Sequence, residues 1–270
     1  MNARTSYAAL LLCTALGTVT GQADAQGWRS ASRAPVGLAP DPATTPEAVV
    51  QVYAARAVRW RGYIGVHTWI AVKPSGASAY SVYEVSGWRL RRSGTSVQNS
   101  DRAPDGHWFG NRPELLADLR GDGIDDVIER VEAAVDAYPY AGTYRVWPGP
   151  NSNTFTAFVS RNIPELRIDL PATAIGKDYL GKSLFASAPS GTGYQFSVFG
   201  LFGVLGGLEE GLELNVLGLT FGIDPTNPSF KLPLAGRVDL WRVLLFALAL
   251  AGSRVVLRRT SRVRSSMPAK

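Results

Sequence analysis

The chain has 270 residues, of which 46% are hydrophobic and 19% charged. This is enough apolar material for a folded core and too much for a disordered chain. With one cysteine and two histidines, the chain has no cysteine zinc site and no three-histidine metal site, and we expect no cofactor. Its net charge of +6 comes from residues 254–270, which carry six basic residues and no acid. The balanced remainder argues against a nucleic-acid partner, whereas the basic tail favours an anionic membrane surface.

The N-terminus has the pattern of a secretory signal. Arg4 supplies a positive start, residues 8–16 are apolar, and Ala23-Asp24-Ala25 is a small-x-small cleavage site. We therefore predict a signal peptide over residues 1–25 and export to a bacterial periplasm; the alternative is a buried N-terminal helix. Because Cys13 lies in this leader, the mature protein has no thiol nucleophile.

The next hundred residues predict a linker followed by one helix and several strands. Residues 26–45 are polar and spaced by prolines, which is typical of a linker. Residues 46–58 open with proline and predict a helix. Residues 63–72 are rich in β-branched and aromatic side chains and predict a strand, residues 79–85 alternate as its hairpin partner, and residues 88–93 are a candidate third strand.

The second half of the chain predicts helices first and β structure later. Residues 122–137 carry an apolar stripe at helical spacing. Residues 144–147 predict a short strand, and the apolar residues 155–159 follow a turn-like stretch over residues 148–153. Residues 194–223 are glycine-rich and apolar, which allows two strands around a turn or a membrane-associated segment. The glycines and a lone acidic pair suit β structure better than a spanning helix.

The C-terminal segment over residues 238–270 combines an apolar stretch with the basic tail. Residues 238–257 allow two interpretations, a docked amphipathic helix or a C-terminal anchor in the inner membrane, because only residues 243–252 are uninterruptedly apolar. Cations near both ends of the stretch are compatible with the anchor.

Two short motifs carry candidate chemistry. The first is a histidine within a strand, Val66-His67-Thr68-Trp69, and the second is a serine at a predicted helix start, Asn151-Ser152-Asn153-Thr154-Phe155. Free backbone N–H groups at a helix start stabilise an oxyanion, and a nearby histidine acts as a general base. The alternative interpretation is an ordinary helix N-cap and a structural histidine.

The order of these motifs resembles the circularly permuted papain-like proteins, which include the NlpC-type, lecithin:retinol acyltransferase-like and PPPDE groups. The resemblance covers residues 63–163. It implies an α+β fold over residues 46–237, in which an antiparallel sheet packs against the helix that carries the serine motif. Whole-chain features such as Trp-Pro-Gly-Pro-Asn-Ser-Asn-Thr-Phe also resemble an uncharacterised bacterial family of unknown function, and that likeness assigns no activity.

The papain-like resemblance implies specific roles for single residues. His67 falls on the family histidine and Ser152 on the position of the family cysteine, while Glu84 or Tyr83 would orient the imidazole. A hydroxyl needs more activation than a thiol, so the serine puts catalysis in doubt. The candidate substrate-binding residues are Asn151, Asn153, Trp69 and His107.

Two functions follow from this constellation. The first is a Ser/His amide or ester hydrolase or acyltransferase that acts on a peptide, glycan or lipid of the cell envelope. The second is a catalytically inactive binding or structural protein of the envelope.

Overall fold

The computed structural model describes residues 27, 30–241, 244 and 245. Within these residues the protein is a mixed α/β structure with two antiparallel sheets and three α-helices. The predicted signal peptide over residues 1–25 lies outside the described residues, and so does most of the segment 238–270.

The first sheet has five strands in the order β4-β3-β2-β1-β5. All neighbouring pairs run antiparallel. The strands are β1 (Val49–Arg56), β2 (Val66–Lys73), β3 (Ser81–Val85), β4 (Val97–Ser100) and β5 (Glu114–Arg120).

The first strand corrects the prediction of a helix over residues 46–58. β1 lies between β2 and β5, and Val52 pairs with Ile70 on one side and with Ala117 on the other. All its residues except Arg56 are buried. A strand covered on both faces has a continuous apolar run instead of alternation, so its sequence lacks the two-residue period that marks a half-exposed strand.

The three helices are α1 (Gly87–Ser93), α2 (Ile124–Asp136) and α3 (Ser152–Asn162). The predictions of α2 and α3 are confirmed, whereas the candidate strand over residues 88–93 is α1. The Ser86 hydroxyl caps α1 by accepting from the Arg89 N–H, and Gly94 ends the helix at φ +73°. Capping at both ends outweighs the weak strand pattern.

The segment over residues 144–147 does not form the predicted strand. It runs into Pro148 and Pro150, which have no N–H to donate to a sheet. Instead, the Arg145 N–H donates to the Pro150 carbonyl at 2.8 Å and closes a loop before α3.

The two faces of the first sheet carry separate cores. Helices α2 and α3 cover one face, where Ile70 and Val72 of β2 join Phe155 of α3. On the other face Trp69 packs with Trp108 and with the segment around Leu38. Part of the predicted linker over residues 26–45 is thus packed on the body.

The second sheet is a seven-stranded meander in the order β12-β11-β10-β9-β8-β7-β6. The β structure predicted over residues 194–223 is confirmed. The strands are β6 (Phe185–Ser187), β7 (Gly193–Val198), β8 (Phe202–Gly207), β9 (Gly211–Val216), β10 (Leu219–Asp224), β11 (Ser229–Leu232) and β12 (Gly236–Asp239).

None of the helices in the described part of the chain combines the length and the apolar character needed to cross a membrane. Since residues 246–270 lie outside that part, both interpretations of the C-terminal segment remain predictions.

Candidate functional site

His67 and Glu84 form a hydrogen-bonded pair on neighbouring strands. The His67 Nε2 atom lies 2.8 Å from Glu84 Oε2, and both side chains are buried. Since a carboxylate only accepts, the ring N–H of His67 donates to it. The other Glu84 oxygen, Oε1, lies 3.4 Å from Nε of Arg102. The strand histidine therefore has the carboxylate partner that the sequence favoured.

Aromatic rings enclose this pair. The His67 ring stacks on Trp108 with centroids 3.8 Å apart and ring planes 9° apart. The Arg102 guanidinium lies 4.7 Å from the centroid of the Trp69 ring, and the Trp69 indole N–H donates to the Pro104 carbonyl at 2.7 Å. Trp69 is thus a core residue here, and the stacked indole shields the histidine from solvent.

Burial sets the protonation of the pair. Burial lowers the pKa of His67 and outweighs the hydrogen bond to Glu84, which acts in the opposite direction. Burial alone would raise the pKa of Glu84, but the His67 hydrogen bond and the Arg102 charge together lower it. The favoured state is therefore a neutral imidazole that donates to a carboxylate.

The serine motif begins α3 with a complete capping box. The Asn151 side chain accepts from the N–H groups of Asn153 and Thr154, while Thr154 Oγ1 accepts from the Asn151 N–H at 3.1 Å. The amide of Asn151 donates to the carbonyls of Val146 and Ile175, at 3.0 and 2.9 Å. All the polar groups of the Asn151 side chain are thus used to hold α3 in place.

The other predicted binding asparagine is also structural. The Asn153 amide donates to the Val66 carbonyl at 3.1 Å and to the Ile175 carbonyl at 2.8 Å. It joins the first turn of α3 to the start of β2, and it is buried.

Thr68, not His67, contacts the serine motif. Its hydroxyl lies 3.1 Å from the Ser152 carbonyl oxygen and 2.9 Å from Thr156 Oγ1. Side chains alternate along a strand, so His67 points to the opposite face of the sheet, where Trp69 and Trp108 lie. Across the described residues, no hydrogen bond joins the His67 ring to the Ser152 hydroxyl. The structure therefore brings His67 to Glu84 but does not bring it to Ser152.

The remaining predicted site residues have separate partners. The Tyr83 hydroxyl donates to Glu132 Oε1 of α2 at 2.9 Å, and burial raises the pKa of Tyr83 to about 12. It therefore lies on the helix-covered face and does not orient His67. The His107 ring donates from Nδ1 to the Ala34 carbonyl at 2.8 Å, which ties the N-terminal segment to the body.

His107 also lines a cleft of about 1330 Å³, which includes neither His67, Glu84 nor Ser152. The cleft lies where the end of β1, the short 3-10 helix Arg59–Tyr63 and the loop around residues 109–112 face the β11–β12 hairpin. Three exposed arginines that line it have no ion-pair partner within the described residues: Arg56, Arg59 and Arg112.

Aromatic rings accompany these arginines. Trp60 and Tyr63, which are 60% and 54% exposed, both line the cleft. Sequence reasoning missed this cleft, although the run Arg56-Ala57-Val58-Arg59-Trp60-Arg61 placed three cations and an indole within six residues.

Within the described residues, no group of three or more His, Cys, Asp or Glu side chains is arranged to hold a metal ion. The lining of the cleft combines guanidinium groups and aromatic rings with the carboxylates of Glu114 and Asp169.

Comparison with known families places the first sheet and its helices in one unit. Residues 47–179 match a family described as "Protein of unknown function (DUF3750)". The matched residues include His67, Glu84 and Ser152 and end before β6. No curated protein and no solved structure matches the chain.

Proposed function

We propose that the protein binds a small anionic ligand in the arginine-lined cleft, as an exported envelope protein rather than as an enzyme. The observation that carries the proposal is the set of Arg56, Arg59 and Arg112, which line a space of about 1330 Å³ without ion-pair partners among the described residues. A guanidinium group binds carboxylates and phosphates through two parallel hydrogen bonds.

The cleft matches an anion that is attached to a larger group. Trp60 and Tyr63 line the cleft beside the guanidinium groups, and aromatic rings next to a few polar groups are typical of ligand pockets. Peptides, glycans and lipids of the bacterial envelope carry carboxylates or phosphates next to such bulk. The predicted signal peptide supports this class of ligand.

The proposal is tested by calorimetric titration of the protein with a soluble muropeptide and with dihexanoylphosphatidylglycerol. We expect Arg59→Gln and Arg112→Gln each to weaken binding about tenfold, because a hydrogen bond to a charged group contributes about 1.5–3 kcal/mol. Arg91→Gln is the matched control, since this arginine lies on α1 outside the cleft. Equal affinity of all three variants and the parent chain would reject the cleft as the binding site.

A Ser/His hydrolase or acyltransferase with a papain-like fold is the second candidate, favoured by the hydrogen bond between His67 and Glu84. In that proposal Ser152 is the nucleophile and His67 the base, which requires the His67 ring, now on the opposite face of the first sheet, to reach the Ser152 hydroxyl. A fluorophosphonate probe tests it directly. Labelling at Ser152 that disappears in His67→Ala supports the enzyme. A protein that is not labelled rejects the hydrolase, and the binding function is then the proposal that is kept.

A further inference from the structure

The second sheet has its polar and apolar faces reversed. Along β9, Leu212, Leu214 and Val216 are exposed while Glu213 and Asn215 are buried. The same alternation continues in the neighbouring strands. We call the exposed side of the sheet the outer face; its large side chains are Phe185, Tyr194, Phe196, Phe202, Val204, Leu212, Leu214, Val216, Leu219, Phe221, Ile223, Phe230 and Leu232.

Buried charges hold this orientation. On the inner side, Glu213 pairs with both Lys177 and Lys231, and Lys231 also pairs with Asp169. Lys177 and Lys231 are almost completely buried. If the opposite face of the sheet pointed inward, Glu213 and Lys231 would lose their ion pairs with Lys177 and Asp169. The cost of leaving buried charges unpaired therefore keeps the polar face inside and the apolar face outside.

The outer face is broad and uncharged. Phe185, Phe196, Val204, Leu214 and Phe221 are direct neighbours across five adjacent strands. With about 4.8 Å between strands, this row spans roughly 19 Å. A soluble monomer rarely exposes an apolar patch of that size. One helix, about 10 Å wide, would cover only half of it.

The surroundings of the outer face indicate what covers it. β12 leads from the edge of this sheet into residues 243–252, which are apolar, and then into a tail with six basic residues and no acid. Exposed Lys182 precedes β6 at the other edge. Cations beside an uncharged apolar surface complement anionic lipid head groups.

Aromatic side chains at the margins point to the same occupant. Trp147 donates its indole N–H to the Leu217 carbonyl in the β9–β10 turn and is half exposed. Tyr194 lies near the opposite end of the strands and is 82% exposed, and exposed Trp241 follows β12. Trp and Tyr prefer the boundary between lipid and water.

We propose that the outer face of the second sheet rests on the surface of an anionic lipid bilayer. The exposed Phe, Leu, Val and Ile side chains enter the boundary between head groups and acyl chains, while the basic tail and Lys182 contact anionic head groups. This surface is separate from the arginine-lined cleft.

A single fluorophore attached to the outer face measures whether that face enters an apolar environment. Because the chain has one cysteine, Cys13→Ser allows an NBD label at Leu214→Cys or Phe221→Cys, with Glu129→Cys on α2 as the control position. The full chain is mixed with vesicles of phosphatidylcholine, alone or with an equal amount of phosphatidylglycerol. We expect a blue shift and about a twofold or greater rise in NBD emission at the outer face only with phosphatidylglycerol, and no change at the control position.

Other outcomes overturn the proposal. NBD emission that stays unchanged with vesicles excludes lipid contact. Emission that is already shifted without vesicles, at every protein concentration, shows that the C-terminal segment covers the face, and a shift that grows with protein concentration shows a second copy. In vesicle sedimentation, Leu214→Ser combined with Phe221→Ser is expected to reduce binding about tenfold, whereas Glu129→Ser leaves it unchanged. The side chains of Leu214 and Phe221 are about half exposed, so we expect the serine variants to keep the fold.

Discussion

The buried His67 ring makes the stability of the protein depend on pH. Burial lowers its pKa from the usual 6.5, so the folded chain binds this proton more weakly than the unfolded chain. The free energy of unfolding is therefore insensitive to this group above about pH 6.5 and falls below it, by at most about 1.4 kcal/mol per pH unit. Urea unfolding between pH 7 and pH 5 measures the slope, and His67→Gln should flatten it. An identical slope in the variant contradicts the assignment.

His67 and Thr68 are neighbours in β2 whose side chains point to opposite faces of the sheet. This explains why one contact of the site was predictable from the sequence and the other was not. The sequence identifies a strand histidine, and its carboxylate partner Glu84 follows from the next strand. The contact with Ser152 depends on which face of the sheet the histidine takes, and a shift of one residue reverses that face. Both faces of β2 are buried, so the apolar pattern carries no signal for this choice.

The start of α3 depends on Asn151 more than on Ser152. Asn151→Ala removes the cap as well as two hydrogen bonds to the carbonyls of Val146 and Ile175. The Ile175 carbonyl keeps its hydrogen bond from the Asn153 amide, so one carbonyl, that of Val146, loses its donor. We expect a loss of about 2–4 kcal/mol in the free energy of unfolding, because a cap contributes about 1 kcal/mol and one unsatisfied buried group costs a further 1–3.

Ser86→Ala is the matched control for this cap, since Ser86 caps the short helix α1 with one hydrogen bond. Its expected loss is about 1 kcal/mol. Urea denaturation of both variants compares them, and equal losses would show that the carbonyl contacts of Asn151 contribute nothing.

Helices and strands that have a clear periodic or capping pattern in their own sequence were predictable. Those whose conformation depends on the strands beside them in the sheet were not. Helix α2 carries an apolar stripe, and α3 follows a cap, so both appear in the sequence. By contrast, β1 is a strand because it is inserted between β2 and β5, which local periodicity does not record. The apolar run in β8–β10 predicts strands, but which side faces the body depends on charges from residues 169–178.

At the scale of the whole molecule, an ion network joins the end of the family-matched region, residues 47–179, to the second sheet. Lys177 lies within the matched region and pairs with Glu213 of β9, while Lys231 of β11 pairs with Glu213 and Asp169. Burial alone would lower the pKa of Lys177, but the charges of Glu213 and Asp178 together with the hydrogen bond to Glu213 raise it. Buried charges thus join the inner side of the second sheet to the segment over residues 169–177, and the apolar face of the second sheet points away from this contact.

Glu213→Gln tests this view of the assembly. The substitution keeps the size of the side chain but leaves Lys177 without its carboxylate partner in a buried position, so we expect a loss of about 3–5 kcal/mol in the free energy of unfolding. Arg130→Gln, which breaks a half-exposed pair with Glu165, should cost less than about 1 kcal/mol. Urea unfolding compares the two variants. Because the network fixes which side of the second sheet faces outward, Glu213→Gln should also expose Lys177 to amine-reactive reagents, and a protected Lys177 in a destabilised variant would show that the sheet is held by other contacts.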